Sequence, residues 1–238
     1  MKVLGICGTH KRGDRRSSSE WFLNKALRAT EEEGAETTSI RLINHTVAPC
    51  LACNKCRIGK LCPLLEDPKD DGKKIFDMID EADAIIFSSP TYAYQQPAIV
   101  LNLLHRTIPL HEQERAEVWG TKIVAYKNNP FRGKPVGNLA VSAALGQEGA
   151  LFEIFHFLKA MGATPVACAG ISLFEPEMRN LFEGADEVDS AMNTLLNMPG
   201  VNIEENRCAV EMARAVGKRV VDVFRSELFQ SMKHVLKY

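Results

Sequence analysis

The chain has 238 residues, of which 45% are hydrophobic and 25% charged, and this ordinary globular composition excludes a disordered or collagen-like chain. A length of 238 fits one generous α/β domain or two small ones, and a chain of this size buries roughly three quarters of its unfolded surface. The 29 Lys and Arg balance 30 Asp and Glu without a long basic run, which argues against nucleic acid or an anionic membrane as the main partner.

Hydrophobic patterning predicts strands and helices in alternation along the chain. Short apolar runs predict strands over 3–7, 84–88, 136–142 and 164–171, and alternation of polar and apolar residues predicts another over 37–42. Amphipathic or apolar periodic segments predict helices over 19–33, 70–82, 98–107, 148–161 and 203–228. Strands that are mostly unbroken apolar runs are typical of a parallel sheet covered by helices on both faces.

The five predicted strands suit a flavodoxin-like, doubly wound parallel sheet of order 2-1-3-4-5 in a single domain over residues 1–238. Two segments do not fit this minimal unit. The segment 111–134 contains Trp119 and a further predicted strand at 122–126, and the segment 174–201 is acidic with two prolines. We expect both to be excursions from the one domain.

The loops after the strands are the expected ligand site, because ligands of open α/β sheets bind at the carboxyl ends of the strands. The first loop, 8–19, combines hydroxyl and cationic side chains with a helix N-terminus, where free N–H groups favour an anion such as a phosphate monoester. It contains neither a P-loop nor a Gly-x-Gly-x-x-Gly pattern. A surface turn with a helix N-cap would explain the same residues.

Two further loops are expected at the same edge of the sheet. The second loop, 89–94, contains Pro90, which fixes a turn, and Tyr92 and Tyr94, which could flank a flat aromatic ligand. The third loop, 142–149, consists of small residues that let the backbone approach a ligand closely. Ordinary packing would explain each loop alone, whereas three such loops at one edge favour a ligand site.

Four of the seven cysteines fall within thirteen residues, in a segment without periodicity that predicts a loop over 48–63: Cys50, Cys53, Cys56 and Cys62. The N-terminal apolar run is too short for a signal peptide and no apolar stretch approaches the ~20 residues that span a bilayer, so we expect a cytoplasmic protein with reduced thiols. This setting favours a metal site over disulfides. The other three cysteines are expected to be small buried hydrophobic side chains: Cys7, Cys168 and Cys208.

Short motifs across the loops resemble the NADPH-dependent FMN reductase superfamily over about residues 3–225. They are Gly8-Thr9 with the serines at 17–19, Ser89-Pro90-Thr91-Tyr92, and Phe131-Arg132-Gly133-Lys134-Pro135 leading to Gly146-Gln147-Glu148. The spacing Cys50-x2-Cys53-x2-Cys56-x5-Cys62 resembles that of its iron–sulfur flavoprotein branch. The first loop departs from the family, since Thr9-His10-Lys11 stands where Ser-Pro-Arg is common, but hydroxyl and cationic groups are kept.

This resemblance implies FMN at the three loops and a [4Fe–4S] cluster on the four cysteines. The flavin phosphate would lie on the first loop and the isoalloxazine ring between the second and third, on Thr9, Lys11, Ser17, Ser18, Ser19, Pro90, Thr91, Tyr92, Ala93, Ser142, Ala143 and Gly146. It further implies a homo-oligomer, a dimer or tetramer, that brings cluster and flavin together. Ferredoxin or NAD(P)H would be the electron donor, with a small-molecule acceptor.

The residues of the cysteine loop leave more than one ligand open. Two-residue spacers let one wrapped loop supply three thiolates of a [4Fe–4S] cluster, and Cys62 followed by Pro63 resembles the end of a ferredoxin cysteine run. Structural zinc, which usually takes two Cys-x2-Cys pairs with a longer spacer, is the competing metal, and free thiols are the third alternative.

The leading hypothesis is therefore an FMN-dependent electron-transfer oxidoreductase that couples the cluster to flavin and needs no catalytic side chain. One alternative is a NAD(P)H-dependent FMN or quinone reductase without a cluster. The other is a non-enzymatic binding module with zinc in the cysteine loop, because a fold by itself does not decide function.

Overall fold

A parallel β-sheet forms the centre of the computed structural model, which describes residues 1–58, 60–110, 112–118, 121–127, 129–143, 145–173, 203–204 and 206–236. The strands in these residues are β1 (Lys2–Cys7), β2 (Glu36–Arg41), β3 (Ala84–Pro90), β4 (Glu112–Val118), β5 (Thr121–Lys127), β6 (Pro135–Ser142) and β7 (Thr164–Ser172). The main sheet has the order β2-β1-β3-β6-β7 with every pair parallel. The predicted flavodoxin-like order, 2-1-3-4-5 among the sheet strands, is confirmed.

Helices connect these strands and cover the sheet. The described helices are α1 (Ser18–Glu32), α2 (Gly72–Glu81), α3 (Ala98–His105), α4 (Gln147–Ala160), α5 (Arg207–Arg225) and α6 (Glu227–Leu236). Helices α1 and α5 each begin at a side-chain cap. The side chain of Ser17 accepts from the backbone N–H of Glu20 at the start of α1, and that of Asn206 accepts from the N–H of Ala209 at the start of α5. None of these helices is both long and apolar enough to cross a membrane.

Alternate residues of the strands enter two separate cores, one on each face of the sheet. Val3 of β1 packs in one core with α1 and α5, whereas its neighbour Leu4 packs in the other with α2, α3 and α4. Because both faces are buried, the central strands β1, β3 and β6 lack alternating polar positions. The arrangement leaves only the ends of the strands free to line a ligand site.

The structure corrects two details of the predicted elements. The single helix predicted over 203–228 is two helices, because Ser226 has an extended backbone (φ −63°, ψ 137°) and its Oγ accepts from the N–H of Phe229 as α6 begins. In the segment 111–134, the predicted strand corresponds to β5, which pairs antiparallel with β4, a strand that the polar sequence did not predict. The segment 174–201 lies outside the described residues.

Helix α5 crosses α1 so closely that Gly217 has no room for a side chain. A Cβ there would strike the carbonyl oxygen of Ala26, a backbone atom that cannot move aside. Gly217→Ala is therefore expected to lower the free energy of unfolding by about 1–3 kcal/mol, the usual cost of overpacking. In an open helix position the same change would stabilise by roughly 1 kcal/mol.

Urea unfolding followed by far-UV circular dichroism measures the effect of Gly217→Ala. Arg219→Ala, at an exposed position of the same helix, serves as the control and is expected to stay within about 0.5 kcal/mol of the wild type. A stabilised Gly217→Ala variant would contradict the close crossing of α1 and α5.

Candidate functional site

A cavity lies at the carboxyl ends of β1, β3 and β6, where the strand order reverses on either side of β1. The three predicted loops meet there. Its lining consists of Thr9, Lys11, Ser17, Ser19, Pro90, Thr91, Tyr92, Val141, Ser142, Ala143 and Leu173. We call this the strand-end cavity.

Three of the residues predicted for this site do not line the strand-end cavity. Ser18 is buried in the first turn of α1, Ala93 is exposed at the tip of the second loop, and Gly146 precedes α4 with a left-handed φ of +94°. Two apolar residues of the lining, Val141 and Leu173, were missed by the sequence analysis. The signal that could have found them is their position, since Val141 precedes the predicted Ser142 and Leu173 directly follows β7.

The serines of the first loop have structural partners as well as a place at the cavity. Ser17 Oγ lies 3.1 Å from Ser19 Oγ while it also caps α1. The carbonyl of Ser19 accepts from Ser88 Oγ at 2.7 Å, which ties the start of α1 to β3. Thr9 Oγ1 accepts from the backbone N–H of Lys11 at 3.2 Å. Ser17 therefore both caps α1, as expected, and lines the strand-end cavity.

Arg41 at the end of β2 holds the first loop in shape. Its guanidinium donates to the carbonyl oxygens of Gly13 at 2.7 Å, Lys11 at 2.9 Å and Arg15 at 3.4 Å. Its Nε lies 3.4 Å from a carboxylate oxygen of Glu20 in α1. Because three carbonyl groups turn toward this one cation, the loop has a defined course despite its polar sequence. No local pattern in the sequence predicts this role of Arg41, since only the pairing of β2 with β1 brings it to the loop.

The second loop contains a strained turn. The backbone groups of Tyr92 and Gln95 exchange hydrogen bonds of 3.1 and 3.0 Å around two left-handed residues, Ala93 (φ +47°) and Tyr94 (φ +66°). Left-handed backbone costs a residue with a side chain about 1–2 kcal/mol, and such strain is concentrated at ligand sites. The ring of Tyr92 stacks on that of His10 with centroids 5.2 Å apart, so the first and second loops touch.

The third loop packs directly against this turn. A Cβ on Gly149 would meet the carbonyl oxygen of Tyr94, and one on Gly146 would meet the Tyr94 ring and backbone. Ser142, at the start of the loop, donates to Gln147 Oε1 at 2.9 Å and lies 3.1 Å from Ser172 Oγ. The two glycines thus let the third loop pack closely against the second.

One hydroxyl in this wall has no partner. Thr91 Oγ1 is buried and forms no hydrogen bond with any described residue, although the Thr91 N–H donates to the carbonyl of Val141 at 2.8 Å. A buried polar atom without a partner costs about 1–3 kcal/mol. A polar ligand in the strand-end cavity would remove that cost.

A second cavity, the cysteine cavity, lies beneath the loop 48–63. All four predicted metal ligands line it, as do Arg106, Ile108 and Pro109 from the segment after α3. The four thiols are free, with Cys50 and Cys53 exposed and Cys56 and Cys62 half-buried. The loop contains one turn of 3₁₀ helix, Lys55–Ile58. Within the described ranges, no three His, Cys, Asp or Glu side chains have the arrangement of a metal-binding site.

A buried ion pair forms the floor under this loop. Arg106, whose side chain is 1% exposed, donates to both carboxylate oxygens of Asp70, at 2.9 and 3.1 Å. Burial raises the pKa of the Asp70 carboxyl, but hydrogen bonds from Arg106 and from the N–H groups of Ala48 and Gly72 outweigh it, so the pKa lies below its usual value. Asp70 therefore remains ionised at neutral pH.

The expectation that the other three cysteines are buried is correct for Cys7 and wrong for Cys168 and Cys208. Burial raises the pKa of the Cys7 thiol to about 11, so this thiol stays protonated at neutral pH. Cys168 is exposed because β7 is the last strand of the main sheet, and Cys208 is exposed in the first turn of α5. Apolar neighbours in the sequence do not reveal which side of an edge element faces solvent.

The lowered pKa of Asp70 predicts a pH dependence of stability. At a pH between the two pKa values, Asp70 is protonated in the unfolded chain and ionised in the folded one. Its contribution to the free energy of unfolding is therefore complete above about pH 4 and is lost as the pH falls through the folded-state pKa. We expect Asp70→Asn to lower the free energy of unfolding by about 3–5 kcal/mol at pH 7, since it leaves Arg106 buried without an anion.

Urea unfolding at pH 7, 5, 4 and 3 measures this dependence, and the Asp70→Asn variant is expected to lose less stability on acidification than the wild type. Asp77→Asn is the control, because Asp77 forms an exposed ion pair with Lys73. Equal losses in Asp70→Asn and the wild type would show that Asp70 has an ordinary pKa.

Comparisons with known proteins identify a family and several relatives. Residues 1–173 match the family model described as NADPH-dependent FMN reductase. An iron–sulfur flavoprotein of Methanosarcina thermophila is 33% identical over 116 residues, which cover 49% of this chain and 57% of that protein. An iron–sulfur flavoprotein of Methanocaldococcus jannaschii is 34% identical over 159 residues, which cover 66% of this chain and 71% of that protein.

Solved structures share the fold at lower identity. RosB with a bound 8-demethyl-8-formylriboflavin-5'-phosphate intermediate superposes with a TM-score of 0.65 at 18% identity, covering 100% of this chain and 82% of that one. An FMN-dependent NADH-azoreductase from Bacillus anthracis, in complex with FMN, superposes with a TM-score of 0.58 at 13% identity, covering 92% of this chain and 98% of that one. At these identities the likeness shows a common fold alone.

Proposed function

This chain belongs to the NADPH-dependent FMN reductase family of flavin-dependent oxidoreductases, in its iron–sulfur flavoprotein branch, and we propose that it transfers electrons between FMN and a [4Fe–4S] cluster. The observation that carries the proposal is the presence of two separate cavities. One is walled by three strand-end loops, and the other is lined by four cysteine thiols. The proposed pair of cofactors matches this division.

The strand-end cavity is the proposed FMN site. Hydroxyls and a cation from the first loop, Thr9, Ser17 and Lys11, would bind the phosphate near the N-terminus of α1, where the helix dipole favours an anion. The unpartnered hydroxyl of Thr91 would meet a polar group of the flavin. Val141 and Leu173 would supply apolar surface. Bound flavin would supply the two-electron redox chemistry that no side chain in the cavity can perform.

The cysteine cavity is the proposed cluster site. Its donor set consists of thiols alone, which is the ligand type of a [4Fe–4S] cluster. Cations of the loop, Lys55 and Arg57, would offset the negative charge of the metal-loaded site.

Large apolar side chains on the loop and on α4 are exposed, which supports assembly into a homo-oligomer: Leu51, Ile58, Leu61 and Phe152. A small electron-transfer protein such as ferredoxin, or NAD(P)H, is the proposed donor to a small acceptor.

A second candidate function is a NAD(P)H-dependent FMN or quinone reductase whose cysteine loop holds no redox group. The observation in its favour is that the four described thiols do not converge in the manner of a metal site. Hydride would then reach the flavin beside the exposed Tyr92 and Tyr94, which could stack on a nicotinamide ring.

Metal and flavin analysis separates the two candidates. Protein purified without oxygen is expected to contain near four iron and four acid-labile sulfide per FMN. Flavin without iron or sulfide would reject the cluster and leave the reductase. Zinc without flavin would reject both in favour of a zinc-containing binding module.

Substitution of single cysteines tests the ligand set. Cys56→Ala is expected to lose its iron and keep its FMN and its far-UV spectrum, because Cys56 lines the cysteine cavity and not the strand-end cavity. Cys168→Ala, which removes an exposed cysteine outside the loop, is the matched control and should keep all of its iron. Iron contents that are equal in the two variants would remove Cys56 from the ligand set.

The unpartnered hydroxyl of Thr91 tests the flavin site. Thr91→Val is expected to leave the stability of the apoprotein unchanged or higher, since the hydroxyl has no partner there, and to weaken FMN binding by about tenfold. Thr91→Ser should restore the affinity. Fluorescence titration of the apoprotein with FMN measures the dissociation constants.

Thr107→Val provides the opposite control. The Thr107 hydroxyl is buried and donates to the Leu104 carbonyl at 2.9 Å, away from the strand-end cavity. This variant should lose stability and keep its affinity for FMN. If Thr91→Val bound FMN as tightly as the wild type, Thr91 would have no place among the flavin contacts.

A further inference from the structure

Arg106 occupies an unusual position at the wall of the cysteine cavity. It is the C-cap of α3, so that helix sets the position of its backbone. Its guanidinium is almost completely buried, yet it lines the cavity together with the four cysteines. A buried cation at the wall of a thiol site requires an explanation beyond packing.

The contacts of Arg106 converge on the first residue of the cysteine loop. Arg106 donates to the carbonyl of Ala48 at 2.9 Å, and its partner Asp70 accepts from the N–H of Ala48 at 3.0 Å. Both backbone groups of Ala48 are therefore held by one ion pair. Two residues earlier, Thr46 exchanges hydrogen bonds with Asp71, through its N–H to the carboxylate at 2.8 Å and its carbonyl to the N–H at 2.7 Å.

Stability alone does not account for this ion pair. A buried salt bridge is often no more stabilising than well-packed apolar side chains of the same volume, because both charges lose their hydration. The ion pair does fix the relative orientation of the two side chains, since a guanidinium and a carboxylate make two parallel hydrogen bonds in one geometry. Here that geometry determines where the chain turns from the core into the cysteine loop.

The guanidinium of Arg106 could donate one more hydrogen bond. Its Nε is buried and forms no hydrogen bond within the part of the chain that the structure describes. A guanidinium is charged at every accessible pH, and Arg106 lines the cysteine cavity whereas its counter-ion Asp70 does not, so the positive end of the ion pair is the one at the cavity wall. Any metal group with net negative charge that the cysteines hold is stabilised by a nearby cation in a partly buried site.

We propose that Arg106 is a positioning residue of the cysteine site, which holds the start of the loop through Asp70 and Ala48 and favours negatively charged metal groups by its own charge. The proposal rests on the proposed function only in requiring that the four cysteines bind metal. It assigns a role to a residue that lies 44 positions after Cys62, the last cysteine of the run. A cation near a redox group makes electron uptake easier, so Arg106 would also raise the reduction potential of a bound cluster.

Cobalt(II) alone, added to apoprotein under reducing conditions, is a probe that does not depend on the native metal. Thiolate-to-cobalt absorption reports binding, and competition with a chelator yields the dissociation constant. Arg106→Lys keeps a charge but loses the two parallel hydrogen bonds, whereas Arg106→Gln loses the charge. Both are expected to weaken cobalt binding by about tenfold or more, in the range typical for outer-sphere residues of metal sites.

Arg214→Lys is the matched control. Arg214 makes the same two-bond ion pair, with Glu32, but its side chain is 32% exposed and lies between α5 and α1. This variant should bind cobalt as the wild type does. If neither Arg106 variant folds, the double variant Asp70→Asn with Arg106→Gln removes both charges together, and it should still bind cobalt at least tenfold more weakly.

The reduction potential of a bound cluster distinguishes the effect of the Arg106 charge from the effect of its hydrogen-bond geometry. In protein reconstituted with iron and sulfide, Arg106→Gln is expected to shift the one-electron equilibrium about tenfold toward the oxidised form, which is about 59 mV, and Arg106→Lys by less. Cobalt affinities within twofold of the wild type in both Arg106 variants would overturn the proposal. A wild type that binds cobalt but takes up no iron and sulfide would reject the cluster and leave the role of Arg106 to be judged by cobalt alone.

Discussion

The parallel pairing of β1 with β3 is the constraint on which the rest of the molecule depends. Ile6 lies beside Phe87 in this pairing, with helices packed on both faces, so the sheet has no solvent-exposed face that could bind a ligand. Only the strand ends remain, and parallel strands end at the same edge. The first and second loops therefore meet, and β6 adds the third beside them. The strand-end cavity is a direct consequence of this topology.

Two arginines shape the two candidate cofactor loops in the same physical way. Arg41 collects three carbonyl oxygens of the first loop, and Arg106 holds the carbonyl of Ala48 at the start of the cysteine loop. Each also faces a carboxylate, Glu20 or Asp70, that limits its motion. Polar loops without regular structure have no ladder of backbone hydrogen bonds, and a fixed guanidinium with five donors can replace one. Neither arginine needs to touch a ligand for a ligand site to depend on it.

The strand-end cavity combines satisfied and unsatisfied groups. Its serines are engaged, since Ser17 caps α1 and Ser142 donates to Gln147, while Thr91 Oγ1 has no partner among the described residues. Strain is concentrated in the adjoining turn, at Ala93 and Tyr94. A fold built only for stability would avoid both features. Both features occur at the edge where family members would bind FMN. This agrees with a site in which contacts to a ligand supply the missing hydrogen bond and offset the strain.

By itself, the sequence determined the class of fold, the strand-end loops and the four clustered cysteines, because these follow from hydrophobic period, glycine and proline positions and residue spacing. The ion pair of Arg106 with Asp70, the role of Arg41, the unpartnered hydroxyl of Thr91 and the exposure of Cys168 were decided only by the tertiary structure. Local patterns report how a segment distributes its apolar side chains. Which distant charge meets which loop depends on strand order and helix packing, and these exist only once the chain has folded.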